Sequence, residues 1–177
     1  MANAEALAFG VKSESDAVCD SNAQNQISIL EKIKTMIAQE LLLDNRFYEI
    51  QRQSEFFDND GLTTYEENGI RWIRGPNFGA HGGQYVLSIK TNAAKANFQF
   101  QYNCAPNYSD VLLIFGKGWR PQPTTVPLHG PPPPPTALGG DEAIYYEIDS
   151  SQSKAKAFFN FSPNGELNSL SIEQEKK

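Results

Sequence analysis

A histidine in a glycine-rich segment is the residue best suited to acid and base chemistry in this sequence. His81 lies within residues 75–83, between two predicted strands, and an exposed imidazole titrates near neutral pH. The segment lacks the Gly-Lys-Ser or Gly-Lys-Thr triplet of a phosphate-binding loop, and a strand follows where such a loop needs a helix. A plain loop between strands is therefore the favoured interpretation, and His81 is a catalytic candidate only.

A second segment joins arginine to an aromatic residue. In Arg71-Trp72-Ile73-Arg74, a strand would place Arg71 and Ile73 on one face and Trp72 and Arg74 on the other. Such a pair can line a pocket for an anionic or flat ligand. The alternative buries Trp72 in the core and extends the arginines into solvent. The predicted ligand-binding residues are Arg71, Trp72, Arg74, His81 and Tyr102.

Most of the prolines lie in an irregular stretch at about 116–140, between two predicted strands. Residues 131–135 are consecutive prolines, which form a polyproline II rod that aromatic grooves of other proteins can bind. The alternative is a stiff loop that only spans a distance. Trp119 could likewise be an exposed hot spot or could pack onto the core. The predicted partner-binding residues are Trp119, Arg120, Pro131, Pro133 and Pro135.

Metal and cofactor chemistry has little support in the sequence. Asp58, Asp60, Gly61 and Glu67 have the spacing of part of a calcium loop, but Phe56 would occupy the first ligand position and the flanks favour strands over helices. The two histidines and the two cysteines lack the spacing of a structural zinc site. No Gly-x-Ser-x-Gly nucleophile elbow is present. We therefore predict no metal and no cofactor.

Charge and hydropathy limit the choice of partners. The formal net charge of -6 opposes a phosphate backbone, and no local run of Lys and Arg overrides it, so we expect no nucleic-acid partner. No run of about 18 apolar residues predicts a membrane-spanning helix, and the first residues do not resemble a secretion signal. We expect a cytoplasmic protein for which membrane insertion is disfavoured, unless a leader has been removed.

The elements that would position these residues follow from hydrophobic period. Leu30, Ile33, Ile37 and Leu41 recur at helical spacing and predict an amphipathic helix over about 21–44, with a capping box at Ser21. After residue 45 the period changes to two, which is typical of half-buried strands. Strands are predicted at about 46–56, 70–74, 85–90, 97–102, 144–149, 156–161 and 167–174, with a hairpin turn at 162–165.

An unbroken apolar run at 111–115 is interpreted as a central strand that the helix covers. The predicted fold is therefore α+β: one N-terminal amphipathic helix packed on a curved, mostly antiparallel sheet of about seven to nine strands, with a closed barrel as one version. Residues 1–20 are predicted to be a flexible arm and 21–177 a single domain that includes the proline-rich loop.

The leading functional hypothesis is a non-catalytic binding or interaction module for a protein partner or a small apolar ligand. It would use an aromatic-lined concave sheet or the proline-rich loop. One alternative is a small metal-independent β-barrel enzyme, with His81, Arg71 or a carboxylate between Asp58 and Glu67 as acid or base. Another is a membrane-active β toxin, which the net negative charge argues against weakly. The oligomeric state is left open.

Overall fold

The computed structural model describes residues 23–44, 57, 61–78, 83–101, 105–122 and 143–177. These residues form helices α1 (Ala23–Ala38) and α2 (Tyr108–Phe115), a short 3₁₀ helix (Leu41–Leu43) and eight strands. The strands are β1 (Thr63–Glu67), β2 (Ile70–Gly75), β3 (Tyr85–Ile89), β4 (Ala93–Gln99), β5 (Arg120–Pro121), β6 (Ala143–Asp149), β7 (Ser153–Phe161) and β8 (Leu167–Lys176).

The eight strands form one antiparallel sheet in the order β1-β2-β3-β4-β8-β7-β6-β5. The predicted α+β class and antiparallel sheet are thereby confirmed. The predicted barrel is wrong, because β1 and β5 are the outer strands of an open sheet. β5 has only two residues, and its Pro121 lacks the N–H needed to extend the ladder.

The hydrophobic core lies on one face of this sheet, in rows of side chains that cross the strands. The alternation of buried and exposed residues is clearest in β7, where every second residue from Ser153 to Phe161 is buried. The centre of this core face carries the small side chains of alanines on β4 and β7. They leave room for the 3₁₀ helix to contact β4 and β8. One row in register consists of Ile73, Leu87, Ala96, Ile172, Ala157 and Tyr146.

The predicted amphipathic helix is present as α1. Leu30, Ile33 and Ile37 are buried, whereas Glu31 and Lys32 are exposed, as the spacing predicts. α1 ends earlier than predicted, since Glu40 takes a left-handed conformation at φ 58 before the 3₁₀ helix begins. The predicted cap at Ser21, the arm at 1–20 and the strand at 46–56 lie outside the described residues.

The run at 111–115 is helical, so its prediction as a central strand is wrong. Asn107 caps α2: its side chain accepts from the Asp110 N–H at 3.0 Å, and the Asp110 carboxylate accepts from the Asn107 N–H at 3.0 Å. Val111 is buried and Leu113 is 70% exposed, as expected when residues two apart lie on different sides of a helix. α1 does pack against this segment, and Lys34 Nζ donates to the Ile114 carbonyl at 2.9 Å.

Aromatic side chains on the core face of the sheet fill the hydrophobic core. Phe98 is fully buried and its ring lies 4.9 Å from that of Phe78, while Phe57 packs 4.6 Å from Tyr85. Tyr102 lies outside the described residues. The hairpin at 162–165 is confirmed, with Gly165 at φ 85. None of the helices that the structure describes is long and apolar enough to span a membrane.

Candidate functional site

The face of the sheet opposite α1 and α2 carries side chains from strands that are distant in sequence, such as β4 and β8. We call it the open face. On its central strands the side chains of Lys95, Asn97, Lys156 and Glu173 are exposed, alternating with buried residues of the core face. Within the described ranges, both helices pack on the core side only. No helix among the described residues therefore covers the open face.

Two aromatic rings stack at one end of the open face. Tyr65 and Trp72 are cross-strand neighbours on β1 and β2, with ring centroids 6.1 Å apart and planes 13° from parallel. Tyr65 is 39% exposed and Trp72 is half-buried. Beside them lie Arg74 on β2 and Val86 on β3, which are paired in register. Arg74 is exposed and Val86 is half-buried. These four residues, Tyr65, Trp72, Arg74 and Val86, are called the aromatic patch.

The hairpin between β1 and β2 sets the position of this patch. Its two-residue loop, Asn68-Gly69, has φ values of 53 and 77, both left-handed. A loop of this kind matches the twist of the flanking strands and fixes their register. The register places Tyr65 directly opposite Trp72, so the stacking follows from the turn.

Four charged residues cross the centre of the open face in one register row. Lys95 on β4 pairs with Glu173 on β8, Glu173 pairs with Lys156 on β7, and Lys156 pairs with Glu147 on β6. The signs alternate along the row. Lys95 Nζ lies 3.8 Å from Glu173 Oε1, and both side chains are more than half exposed, at 71% and 53%. We call these four residues the charge row.

The far end of the charge row is bordered by a second group of aromatic and charged side chains. Arg120 lies 3.9 Å from the Glu147 carboxylate. Lys156 Nζ lies 5.8 Å from the centroid of Tyr145, whose ring packs 5.7 Å from Phe158. These contacts lie at the β6 end of the row, and exposed ion pairs contribute at most about 1 kcal/mol each.

Shallow depressions follow the row and the patch. The larger, about 460 Å³, is lined by charged side chains that include all four members of the charge row. The second, about 230 Å³, lies between Trp72, Val86 and Ser171. Lys95 and Glu173 line both depressions, so the two are adjacent. Neither is enclosed in the way that pockets burying most of a small ligand are.

The structure brings together only part of the predicted site. Trp72 and Arg74 share the open face, as strand alternation predicts, and Trp72 lies there rather than in the core. Arg71 lies on the side of Ile73, opposite Glu66 of β1. Trp119 is half-buried against the core, and Arg120 contacts Glu147. His81, Tyr102, Pro131, Pro133 and Pro135 lie outside the described residues.

The described residues contain no cluster of His, Cys, Asp or Glu that could hold a metal ion. A strongly shifted tyrosine is found, but on the core face: burial, with a smaller contribution from Tyr108, raises the pKa of Tyr146 to about 12. The Tyr146 hydroxyl donates to the Gly116 carbonyl at 2.6 Å, at the end of α2. It is a structural group of the core, away from the open face.

Sequence reasoning missed Tyr65 and the whole charge row. Asn68-Gly69 is a strong hairpin signal and could have identified β1 and the pairing of Tyr65 with Trp72. The charge row has no local signal, because it depends on the register between strands as distant in sequence as β4 and β8. Comparison of the chain with protein-family models, curated proteins and solved structures found no match.

Proposed function

We propose that the protein is a non-catalytic protein-interaction module that binds its partner through the aromatic patch. The observation that carries the proposal is the stacked, partly exposed pair Tyr65 and Trp72 on a sheet face to which no described helix contributes. Adjacent, partly exposed apolar side chains mark interaction sites more often than single exposed residues do.

The residue types of the patch favour a protein partner. Trp, Tyr and Arg are enriched among the few interface residues that account for most of the binding energy, and the patch contains one of each. Tyr and Trp side chains have only two torsions each, so their burial costs little side-chain entropy. Val86 extends the apolar surface toward the neighbouring depression.

The size of the depression also favours a partner side chain over a free small molecule. It holds about 230 Å³, which is below the range of about 300–1,000 Å³ typical of small-molecule pockets. A single aliphatic or aromatic side chain fits a space of this size. Arg74 at the edge supplies a cation, so we expect the partner to present an apolar residue next to an acidic one.

Affinity capture from a lysate of the source cells, with a matched pair of variants, tests the proposal. Trp72→Ala removes the central side chain of the patch. Leu113→Ala is the control, because Leu113 is 70% exposed but lies on α2, on the other side of the sheet. We expect proteins captured by the wild type and by the control to be lost with Trp72→Ala, since truncating a hot spot typically costs about 2 kcal/mol, or about 30-fold in affinity.

Equal capture by all three proteins would contradict the proposal, provided that circular dichroism shows Trp72→Ala to be folded. A second readout uses Trp119→Phe, which leaves Trp72 as the only tryptophan. Adding the captured partner should shift the emission of Trp72 to shorter wavelength as the indole leaves water. An unchanged spectrum would place the contact elsewhere, and a variant lacking residues 131–135 would then test the polyproline segment.

A further inference from the structure

The charge row has a symmetry that allows its charges to pair with those of a second copy. From β4 to β6 its signs run plus, minus, plus, minus, in Lys95, Glu173, Lys156 and Glu147. The midpoint of the row lies between β8 and β7, the two central strands of this set. Reversing the order of the row about that midpoint exchanges every positive position with a negative one.

This reversal is what a two-fold axis parallel to the strands produces when two open faces pack together. With the axis over the midpoint, Lys95 faces Glu147 of the second copy, and Glu173 faces Lys156 of the second copy. Symmetry doubles each contact, which gives four pairs of opposite sign. A two-fold axis along the row would instead place each charge opposite its own copy.

The centre of a neighbouring row follows the same rule. This row consists of Ala93, Glu175, Lys154 and Asp149, and its central residues, Glu175 on β8 and Lys154 on β7, lie on either side of the same midpoint. The axis that matches the charge row therefore brings Glu175 opposite Lys154 of the second copy, whereas Asp149 comes opposite Ala93 and gains no partner of opposite sign. The central pair of this row fits the same axis.

We propose that the chain forms a symmetric dimer through the charged part of its open face, with the two-fold axis parallel to the strands between β8 and β7. In this arrangement β4, β8, β7 and β6 of each copy overlap fully, and β3 lies opposite the two-residue β5 of the second copy. With a strand spacing of about 4.8 Å and strands of about eight residues, the four fully overlapping strands cover roughly 19 Å by 26 Å. About 500 Å² per copy is the size of a weak or transient interface.

The proposed dimer leaves only part of the aromatic patch available. Tyr65, Trp72 and Arg74 lie on β1 and β2, beyond the overlap, whereas the second copy covers Val86 on β3 and the smaller depression beside it. The dimer would therefore present one stacked aromatic pair at each outer end, and the second copy would compete with a partner side chain for the depression. Because the contacts are exposed charge pairs, we expect association to weaken as ionic strength rises.

Charge reversal at Lys95 and Glu147 gives a decisive experiment, since these residues are on β4 and β6 and are not neighbours within one copy. Lys95→Glu and Glu147→Lys each convert two intermolecular pairs to like charges. We expect each variant alone to dimerise at least about tenfold more weakly than the wild type in sedimentation velocity and native mass spectrometry. An equimolar mixture of the two should form a heterodimer, because the two substituted positions then face each other with opposite signs and the second pair keeps its native residues.

The double variant Lys95→Glu/Glu147→Lys should dimerise like the wild type. Within one copy, however, it sets a carboxylate at position 95 beside Glu173 and an ammonium at position 147 beside Lys156. Recovered association with lowered thermal stability is therefore the expected result. Lys32→Glu, the same charge change on the exposed side of α1, should leave dimerisation unchanged.

A wild type that stays monomeric at low salt and high concentration would overturn the dimer, as would single variants whose mixture stays monomeric. Either result leaves the aromatic patch untouched, because Trp72→Ala is expected to dimerise normally. If the wild type is monomeric and Trp72→Ala loses partner capture, the interaction module is supported and only the symmetric dimer is rejected.

Discussion

The side-chain amide of Gln174 on β8 donates a hydrogen bond of 3.0 Å to the main-chain carbonyl of Ile37, in the last turn of α1. The same amide nitrogen lies 3.2 Å from the hydroxyl of Ser153 on β7. Both Gln174 and Ser153 are buried polar residues in an otherwise apolar core. They join the C-terminal end of α1 to two central strands, and the Glu40 carboxylate adds a contact with Ser150 in the turn before β7.

Replacing this amide by a carboxylate should make stability depend on pH. Gln174→Glu keeps the shape but puts a negative charge beside the Ile37 carbonyl oxygen in a buried site. Burial raises the pKa of such a carboxyl above its value of about 4.3 in the unfolded chain. Below about pH 4 the carboxyl is neutral in both states, and the variant keeps its stability relative to the wild type. As the pH rises this stability is lost, and at pH 7 we expect the free energy of unfolding of the variant to be lower by roughly 2–4 kcal/mol.

Urea unfolding of both proteins between pH 4 and pH 8 measures this difference. Gln99→Glu is the control, since Gln99 is exposed on β4 and the same substitution there should change stability by less than about 0.5 kcal/mol. A deficit that does not vary with pH would show that Gln174 is not in a desolvated site.

Tyr146 gives a pH dependence at the alkaline end. Its pKa of about 12 in the folded protein exceeds the ordinary value of 10.0, so the unfolded chain releases its proton first. The stability that neutral Tyr146 contributes is full below pH 10 and is lost as the pH rises toward 12. Tyr146→Phe lacks this titration and also lacks the bond to Gly116, which is worth about 1 kcal/mol.

We therefore expect the wild type to be more stable than Tyr146→Phe by about 1 kcal/mol at pH 7, and this advantage to disappear near pH 11. Guanidinium unfolding at pH 7, 9, 10 and 11 measures the difference in the free energy of unfolding between the two proteins. Titration of the other tyrosines is common to both proteins and cancels in this difference. A constant difference over this range would mean that the Tyr146 hydroxyl is solvated.

The capping box of α2 should account for a measurable part of the stability. Asn107→Ala removes the acceptor for the Asp110 N–H and should lower the free energy of unfolding by about 1 kcal/mol, while Asn107→Ser should retain most of it. Asn168→Ala is the matched control, because Asn168 is exposed on β8. Thermal unfolding followed by circular dichroism compares the three. Equal losses for Ala and Ser would argue against a capping role.

Gly75 is predicted to tolerate no side chain. A Cβ there would lie 2.4 Å from ring atoms of Tyr85, which is fully buried and packs on Phe57. Gly75→Ala must displace that ring, and we expect a loss of roughly 1–3 kcal/mol in urea unfolding. Gly118→Ala meets no atom within 4 Å and should be nearly neutral. A neutral result at Gly75 would mean that Tyr85 can be repositioned without strain.

Elements with a local signal were predictable from the sequence, and those without one were not. The alternation in β3, β6, β7 and β8 and the period of α1 each lie within one segment, so pattern alone identified them. The apolar run at 111–115 was ambiguous because five residues fit either a buried strand or one side of a short helix. Its helical state follows from Asn107 and Asp110, a capping signal just outside the run.

The candidate site was predictable only where neighbouring residues define it. Alternation along β2 was enough to place Trp72 and Arg74 on one face. The pairing of Lys95 with Glu173, by contrast, requires knowing that β8 returns to lie beside β4. That placement is decided by how the two sets of strands bury a common core, and no short segment carries it.

The strand order also has a kinetic consequence. β1 to β4 follow one another across the sheet, as do β6 to β8, whereas β4 and β8 are neighbours that come from distant parts of the chain. Hairpins close within microseconds, but bringing β8 to β4 first requires a long loop to close, at an entropic cost that grows with its length. We expect the β4–β8 contact to form late in folding. It would then join two sets of strands, β1 to β4 and β6 to β8, that each assemble on their own.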